Sequence, residues 1–340
     1  MITALWSKIF HNWFVKCFGA GIVALGILSL FSVFYYNPPI HVGSESGATD
    51  YTRQSDTFWS RGTEGFANGT TDKNGYNNAY EVAEGTPVDV LLMGSSQTEG
   101  LYVDEKENMG YLLNEMFAEN GENRYVYNIG MSAHTFLRNV SNLKYALETY
   151  QPTEYVVLET DFVSFASGEV DAALQDQMSP LESYQNGLLY ESQKIPYVKL
   201  LYQQYKDYSG QASETDDSAQ VQGEAAYDFG KMSELLRYVK EQADEYGVTA
   251  MIYYYPSLSL EEDGSLATST DDEMTANFAG LCEENGIALV DMTEAFEREY
   301  EENHHIVSGF SNTAECYGHL NRYGHKLIAE AIYQEIEKGQ

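Results

Sequence analysis

The sequence predicts an α/β domain whose parallel sheet is covered by helices on both faces. Three observations carry that prediction. From Val88 onward, short apolar runs alternate with longer stretches of helical periodicity. The apolar runs read as strands buried on both faces, and strands alternating with helices imply a parallel sheet. The region spans about 250 residues, a reasonable size for one such domain.

The elements follow in chain order. Residues 1–16 form a stub with Lys8 and Lys16 and no acidic residue. Residues 17–36, CFGAGIVALGILSLFSVFYY, carry no charge, and roughly 20 apolar residues suffice to cross a bilayer as a helix. Lysines before this run and an acidic surplus after it predict one membrane span, with a cytoplasmic N-terminus and an extracytoplasmic body at the plasma membrane. Trp6, Trp13, Tyr35 and Tyr36 suit interfacial aromatic belts. A cleaved signal peptide and a buried core helix are the rival readings. No A-x-A-like site precedes Asn37-Pro38-Pro39, which argues against cleavage. Residues 37–85 are rich in Gly, Asn, Ser and Thr, with a turn expected at Thr71-Asp72-Lys73-Asn74-Gly75; they read as a stalk and irregular lead-in.

The domain proper covers 86–340. Strands are expected at 88–93, 125–129, 155–158, 249–254 and 287–290. Helices are expected at 105–119, 135–150, 231–246, 271–284 and 321–337. The second of these places Leu137, Val140, Leu143 and Leu147 on one face. Residues 163–228, rich in Ser, Gln, Tyr and Asp, break the rhythm and read as an insertion suited to covering a site.

Charge removes whole classes of function. The 340 residues hold 19 Lys+Arg against 52 Asp+Glu, a net of -33, and every acidic residue lies beyond Tyr36. Such a body repels nucleic acid and anionic polymers, so a neutral glycan is the better partner. With 43% hydrophobic and 14% aromatic residues, disorder is disfavoured. The 28 tyrosines suit either a core and strand role or contact with sugars. Three cysteines are too few for a disulfide scaffold; Cys282 and Cys316 either pair or stand free. No C-x-x-C occurs, and His304, His305, His319 and His325 match no familiar zinc spacing, so neither metal nor other cofactor is expected.

Ligands of open α/β sheets bind at the carboxyl ends of the strands. After the first strand comes Gly94-Ser95-Ser96-Gln97-Thr98-Glu99, in which Ser96 is a candidate nucleophile, although Gly-Ser-Ser also makes an ordinary turn. After the second comes Asn128-Ile129-Gly130, whose Gly130 N–H either serves an oxyanion or ends a strand. After the third comes Glu159-Thr160-Asp161, with Thr160 a candidate hydroxyl donor. Near the C-terminus, His319 in Gly318-His319-Leu320-Asn321-Arg322-Tyr323-Gly324-His325 precedes a helix, where a general base would project.

Together these blocks resemble the SGNH (GDSL-like) hydrolase family, over residues 86–338 without the insertion. The His-Leu-Asn-x-x-Gly-His run is the most specific piece, and Gly-Ser-Ser is similar to membrane-anchored members. The resemblance implies a three-layer flavodoxin-like fold. It implies Ser96 as nucleophile, His319 as general base, and the N–H groups of Ser96 and Gly130 as oxyanion donors. Two positions depart from the family: Thr160 stands where an Asn is usual, and Cys316 where the acid is usual. Glu315 and Asp291 are the candidate replacements for that acid. The resemblance implies an esterase removing O-acyl groups from extracytoplasmic glycans. Its alternatives are an O-acyltransferase for an envelope polysaccharide, supplied by a membrane-bound acyl-donor partner, and a non-catalytic glycan-binding protein on the same fold.

Overall fold

The computed structural model describes residues 2–35, 40–43, 49–53, 55–62, 64–132, 134–160, 228–269 and 272–339. The expected insertion lies outside the described residues except for Asp228.

Five strands form one parallel sheet: β5 (Val90–Met93), β6 (Val126–Asn128), β7 (Tyr155–Thr160), β8 (Thr249–Tyr254) and β11 (Ala288–Asp291). Their spatial order is β11-β8-β7-β5-β6. Read from the β6 edge, this is the 2-1-3-4-5 order of flavodoxin-like sheets, with its switch point between β5 and β7. All five were expected, each within two residues.

Side-chain alternation builds the layers. In β5, Leu91 and Met93 face one core while Val90 and Leu92 face the other. The first core is closed by α4 (Phe136–Tyr150), α5 (Phe229–Tyr246) and α6 (Asp272–Glu284). The second is closed by α3 (Met109–Glu119), α7 (Thr293–Asn303) and α8 (Arg322–Lys338). Helix α7 and the hairpin of β9 (Ser257–Leu260) with β10 (Leu266–Ser269) were not anticipated. α7 carries one fully buried residue, Phe296, so its acidic sequence shows almost no apolar stripe.

Tyrosines serve the core reading. Tyr76, Tyr125 and Tyr150 pack against the first cluster, and Tyr76 meets Tyr127 and Tyr150 edge-on at 6.1 and 6.2 Å. All three cysteines are free, so Cys282 and Cys316 do not pair; Cys282 is buried, which pushes its thiol up to about 12.

The N-terminal third differs most from expectation. Residues 2–35 form one helix, α1 (Ile2–Tyr35). Among the described residues no helix is long and apolar enough to cross a membrane, so the expected span is not borne out. A two-stranded pair of β1 (Ile40–Gly43) and β2 (Thr49–Thr52) follows. From Arg53 onward the supposed stalk is part of the domain. The hairpin of β3 (Phe58–Arg61) and β4 (Ala67–Thr70) buries Trp59 completely beside Ala67 and Leu101. The expected turn is present: Asp72 accepts from the N–H of Asn74 and Tyr76, and Gly75 adopts φ +88. Asn78 then bonds the backbone of Asn128 in both directions, at 2.9 Å each way. Composition hid this attachment, because it is made by polar side chains and one Trp rather than by a periodic apolar stripe.

Candidate active site

Strand β5 ends in a turn that only glycine permits. A Cβ at Gly94 would lie 1.7 Å from Thr98 Oγ1 and 2.4 Å from Glu159 Oε2. The chain then enters a single-turn helix, α2 (Ser96–Glu99), capped by the Ser95 hydroxyl, which accepts from the Gln97 N–H. Ser96 opens that turn, at the carboxyl end of the sheet and at its switch point.

His319 sits immediately before α8 and is oriented from three sides. Its Nε2 lies 2.8 Å from Ser96 Oγ. Its Nδ1 lies 3.0 Å from Glu64 Oε2, and its backbone N–H donates to the same oxygen at 2.8 Å. The Tyr102 ring stacks flat on the imidazole, centroids 3.7 Å apart and planes 17° apart. The His loop is tied to the Ser turn by Leu320 N–H donating to Gln97 Oε1 at 2.8 Å. It is tied to the body by Asn321, which donates to the carbonyls of Ile306 and Gly309 and caps α8 through Tyr323 N–H.

The carboxylate beside His319 Nδ1 is Glu64, from the lead-in, while the two candidates from the sequence, Glu315 and Asp291, lie elsewhere. Asp291 ends β11 and accepts from the Thr293 N–H; Glu315 is exposed. Cys316 stands between, with φ +58 and a thiol raised by burial and then by Glu315. Glu64 reaches His319 because Gly318 has no side chain: a Cβ there would lie 2.2 Å from Glu64 Oε2. The Glu64 loop is held by Asn312, which accepts from Gly65 N–H at 2.7 Å and donates to the Gly62 carbonyl at 3.1 Å. Burial pushes the Glu64 carboxyl up, but the hydrogen bonds and charge of His319 outweigh it and hold the group below its ordinary value.

Among the described residues the Ser96 N–H makes no hydrogen bond. The Gly130 N–H, expected to serve an oxyanion or to end a strand, donates to Asn128 Oδ1 at 2.8 Å in a local turn. Thr160 is buried at the end of β7. Asp161 lies outside the described residues. His325 is fully buried in α8, accepts from the Met109 N–H, and is lowered to about 3 by burial and by His319, so its role is in packing. His305 stacks on Tyr323 and bonds Glu299. Among the described residues no cluster of His, Cys, Asp or Glu could hold a metal ion.

Two further groups lie beneath the turn. Glu159, buried, takes the N–H of Ser95 and Thr98. Glu99, also buried, pairs with Arg53 through two guanidinium nitrogens and accepts from the N–H and hydroxyl of Ser132. Burial raises the Glu99 carboxyl, while Arg53, Ser132 and Arg61 lower it further. Neither Glu64 nor Glu99's partner Arg53 was legible in sequence, since both lie in the segment whose composition resembles a stalk.

The open parallel α/β sheet thus carries a hydrogen-bonded Ser–His–Glu chain at its switch point. No family model and no curated protein sequence matches the chain. Solved structures do. One is the psychrotrophic esterase EstA from Pseudoalteromonas sp., at 15% identity over 74% of this chain and 97% of that one, TM-score 0.39. Another is the acetyl xylan esterase AlAXEase, at 13% identity over 73% and 99%, TM-score 0.44. A third is a lipase/acylhydrolase from Enterococcus faecalis, at 14% identity over 74% and 96%, TM-score 0.42.

Proposed function

We propose that this chain is an SGNH-type serine esterase acting on O-acyl esters of extracytoplasmic glycans. The observation that carries the reading is the bridging imidazole of His319, with Ser96 Oγ at 2.8 Å on one nitrogen and Glu64 at 3.0 Å on the other. In this reading Nε2 takes the Ser96 proton as Oγ attacks the ester carbonyl. Glu64 fixes the tautomer and stabilises the imidazolium that forms. The Ser96 N–H binds the developing oxyanion. Collapse breaks the bond to the leaving alcohol, which takes the proton from Nε2. Water, deprotonated by the same nitrogen, then releases the acid and regenerates Ser96. The charge of -33 favours a neutral glycan as carrier of the ester.

The test is turnover of p-nitrophenyl acetate and of an O-acetylated neutral glycan by the full chain, against Ser96→Ala. Equal turnover by both proteins refutes the reading.

A second reading is acyl transfer to a glycan hydroxyl. With the Gly130 N–H engaged by Asn128, the expected oxyanion donors reduce to Ser96 N–H and Thr160, and loss of one donor costs roughly 10²–10³ in rate in known cases. A site slow in both reactions suits substrates presented to it, with a membrane partner delivering the acyl group to Ser96 and a glycan hydroxyl taking it. Faster release of a trapped acyl group by glycan than by water supports that variant; faster release by water rejects it. The extracytoplasmic location rests on Lys8, Lys16 and the uncharged run after them. It is tested by protease accessibility of the body in intact cells.

A further inference from the structure

We infer that Glu159 is a positioning residue for the reaction proposed above, holding Ser96 and His319 in register from below. The inference rests on that reading of the site. Glu159 is 4% exposed, yet it faces only neutral donors among the described residues. Its Oε2 accepts from the N–H of Ser95 at 2.9 Å and of Thr98 at 3.1 Å, from the Thr98 hydroxyl, and from Tyr253 OH at 3.0 Å. Its Oε1 accepts from the Ser95 hydroxyl and from Tyr255 OH at 3.1 Å.

Direction matters in this network. An amide N–H can only donate, so Oε2 must be an acceptor. The Ser95 oxygen accepts from Gln97 N–H, so its proton is free to point at Oε1. A carboxylate thus sets a one-way chain: Gln97 N–H to Ser95, Ser95 to Glu159. Gln97 in turn receives Leu320 N–H on its side chain, adjacent to His319. The two inward amides of the turn are consumed by Glu159, leaving the Ser96 N–H between them without a partner among the described residues. One buried carboxylate therefore fixes the nucleophile, its oxyanion donor and the loop of the base together.

Glu159→Gln tests this. The amide oxygen takes the place of Oε2 and keeps both N–H bonds, so the fold is retained. The amide NH2 then faces Ser95 and Tyr255, whose hydroxyl protons must both turn away, so the links from Ser95 and Tyr255 to residue 159 reverse. The full chain is assayed with p-nitrophenyl acetate and with a fluorophosphonate probe. The expected result is a loss of about 10²-fold in kcat and in labelling rate, with KM within about twofold of wild type. Ser95→Ala removes one link of the same chain and is expected to slow labelling about tenfold, which keeps the test open if Glu159→Gln does not fold. Unchanged labelling in the folded variants, or a fall in thermal stability alone, assigns Glu159 a purely structural role and overturns the inference. A wild-type chain that does not label overturns the reading of the reaction as well.

Discussion

Replacing Glu64 by Gln separates shape from charge at the site. Gln keeps an acceptor oxygen for Nδ1 and for the His319 N–H, but removes the negative charge that faces the imidazolium. With Nδ1 and Oε2 3.0 Å apart, the charge centres lie about 4 Å apart, and at an effective dielectric of about 20 their attraction is about 4 kcal/mol. His319 and Glu64 side chains are 12% and 17% exposed, which suits that intermediate medium. The attraction exists only once the imidazole has taken the Ser96 proton, so it lowers the barrier rather than binding the ground state. About 4 kcal/mol corresponds to roughly 10³ in rate. Ester turnover by full-length Glu64→Gln is therefore expected to fall about 10³-fold in kcat with little change in KM. Glu64→Ala, which also frees the tautomer, is expected to fall nearer to 10⁴-fold. The assay is steady-state hydrolysis of p-nitrophenyl acetate, with thermal melting to confirm the fold. A folded Glu64→Gln within about fivefold of wild type would mean that the Glu64 charge does not stabilise the imidazolium.

Three other perturbations follow from the same structure. Gly318→Ala places a Cβ 2.2 Å from Glu64 Oε2 at φ +84; activity should fall by about 10²-fold with a stability loss of only about 1–3 kcal/mol, read by turnover and urea denaturation. Arg53→Met strands the buried Glu99 carboxylate and should cost about 3–5 kcal/mol in urea denaturation at pH 7. In wild type the lowered Glu99 carboxyl gives stability that is complete above the ordinary value of 4.5 and lost as pH falls through the folded value. His325, lowered from 6.5 to about 3, binds its proton more readily in the unfolded chain. Stability should therefore decline as pH falls from 6.5 toward 3, by about 1.4 kcal/mol per pH unit, and His325→Gln should flatten that slope in denaturation curves taken across the range.

Much of the sheet was legible because its strands are built on short apolar runs, buried on both faces in β5, β7 and β8. The Ser turn and the His loop were legible because they follow or precede such elements at fixed places. Glu64 was not, since its partner lies 255 residues away and its loop has neither apolar periodicity nor a motif. Its role depends on Gly318 and Asn312, which come from the opposite end of the chain. The hydrogen bond at Gly130 was not legible either: Asn128, two residues earlier, takes its N–H, a contact of the kind Asn makes readily with nearby backbone. Helix α7 escaped notice because five of its eleven residues are Glu and only Phe296 is fully buried.

The proposed reaction turns on Ser96 being a nucleophile activated by His319 and Glu64. Peptide mass spectrometry of the full chain after treatment with a fluorophosphonate probe reads this directly. One adduct is expected on Ser96, lost in His319→Ala and slowed in Glu64→Gln. An adduct on another residue, or undiminished labelling of Ser96 in His319→Ala, would contradict it.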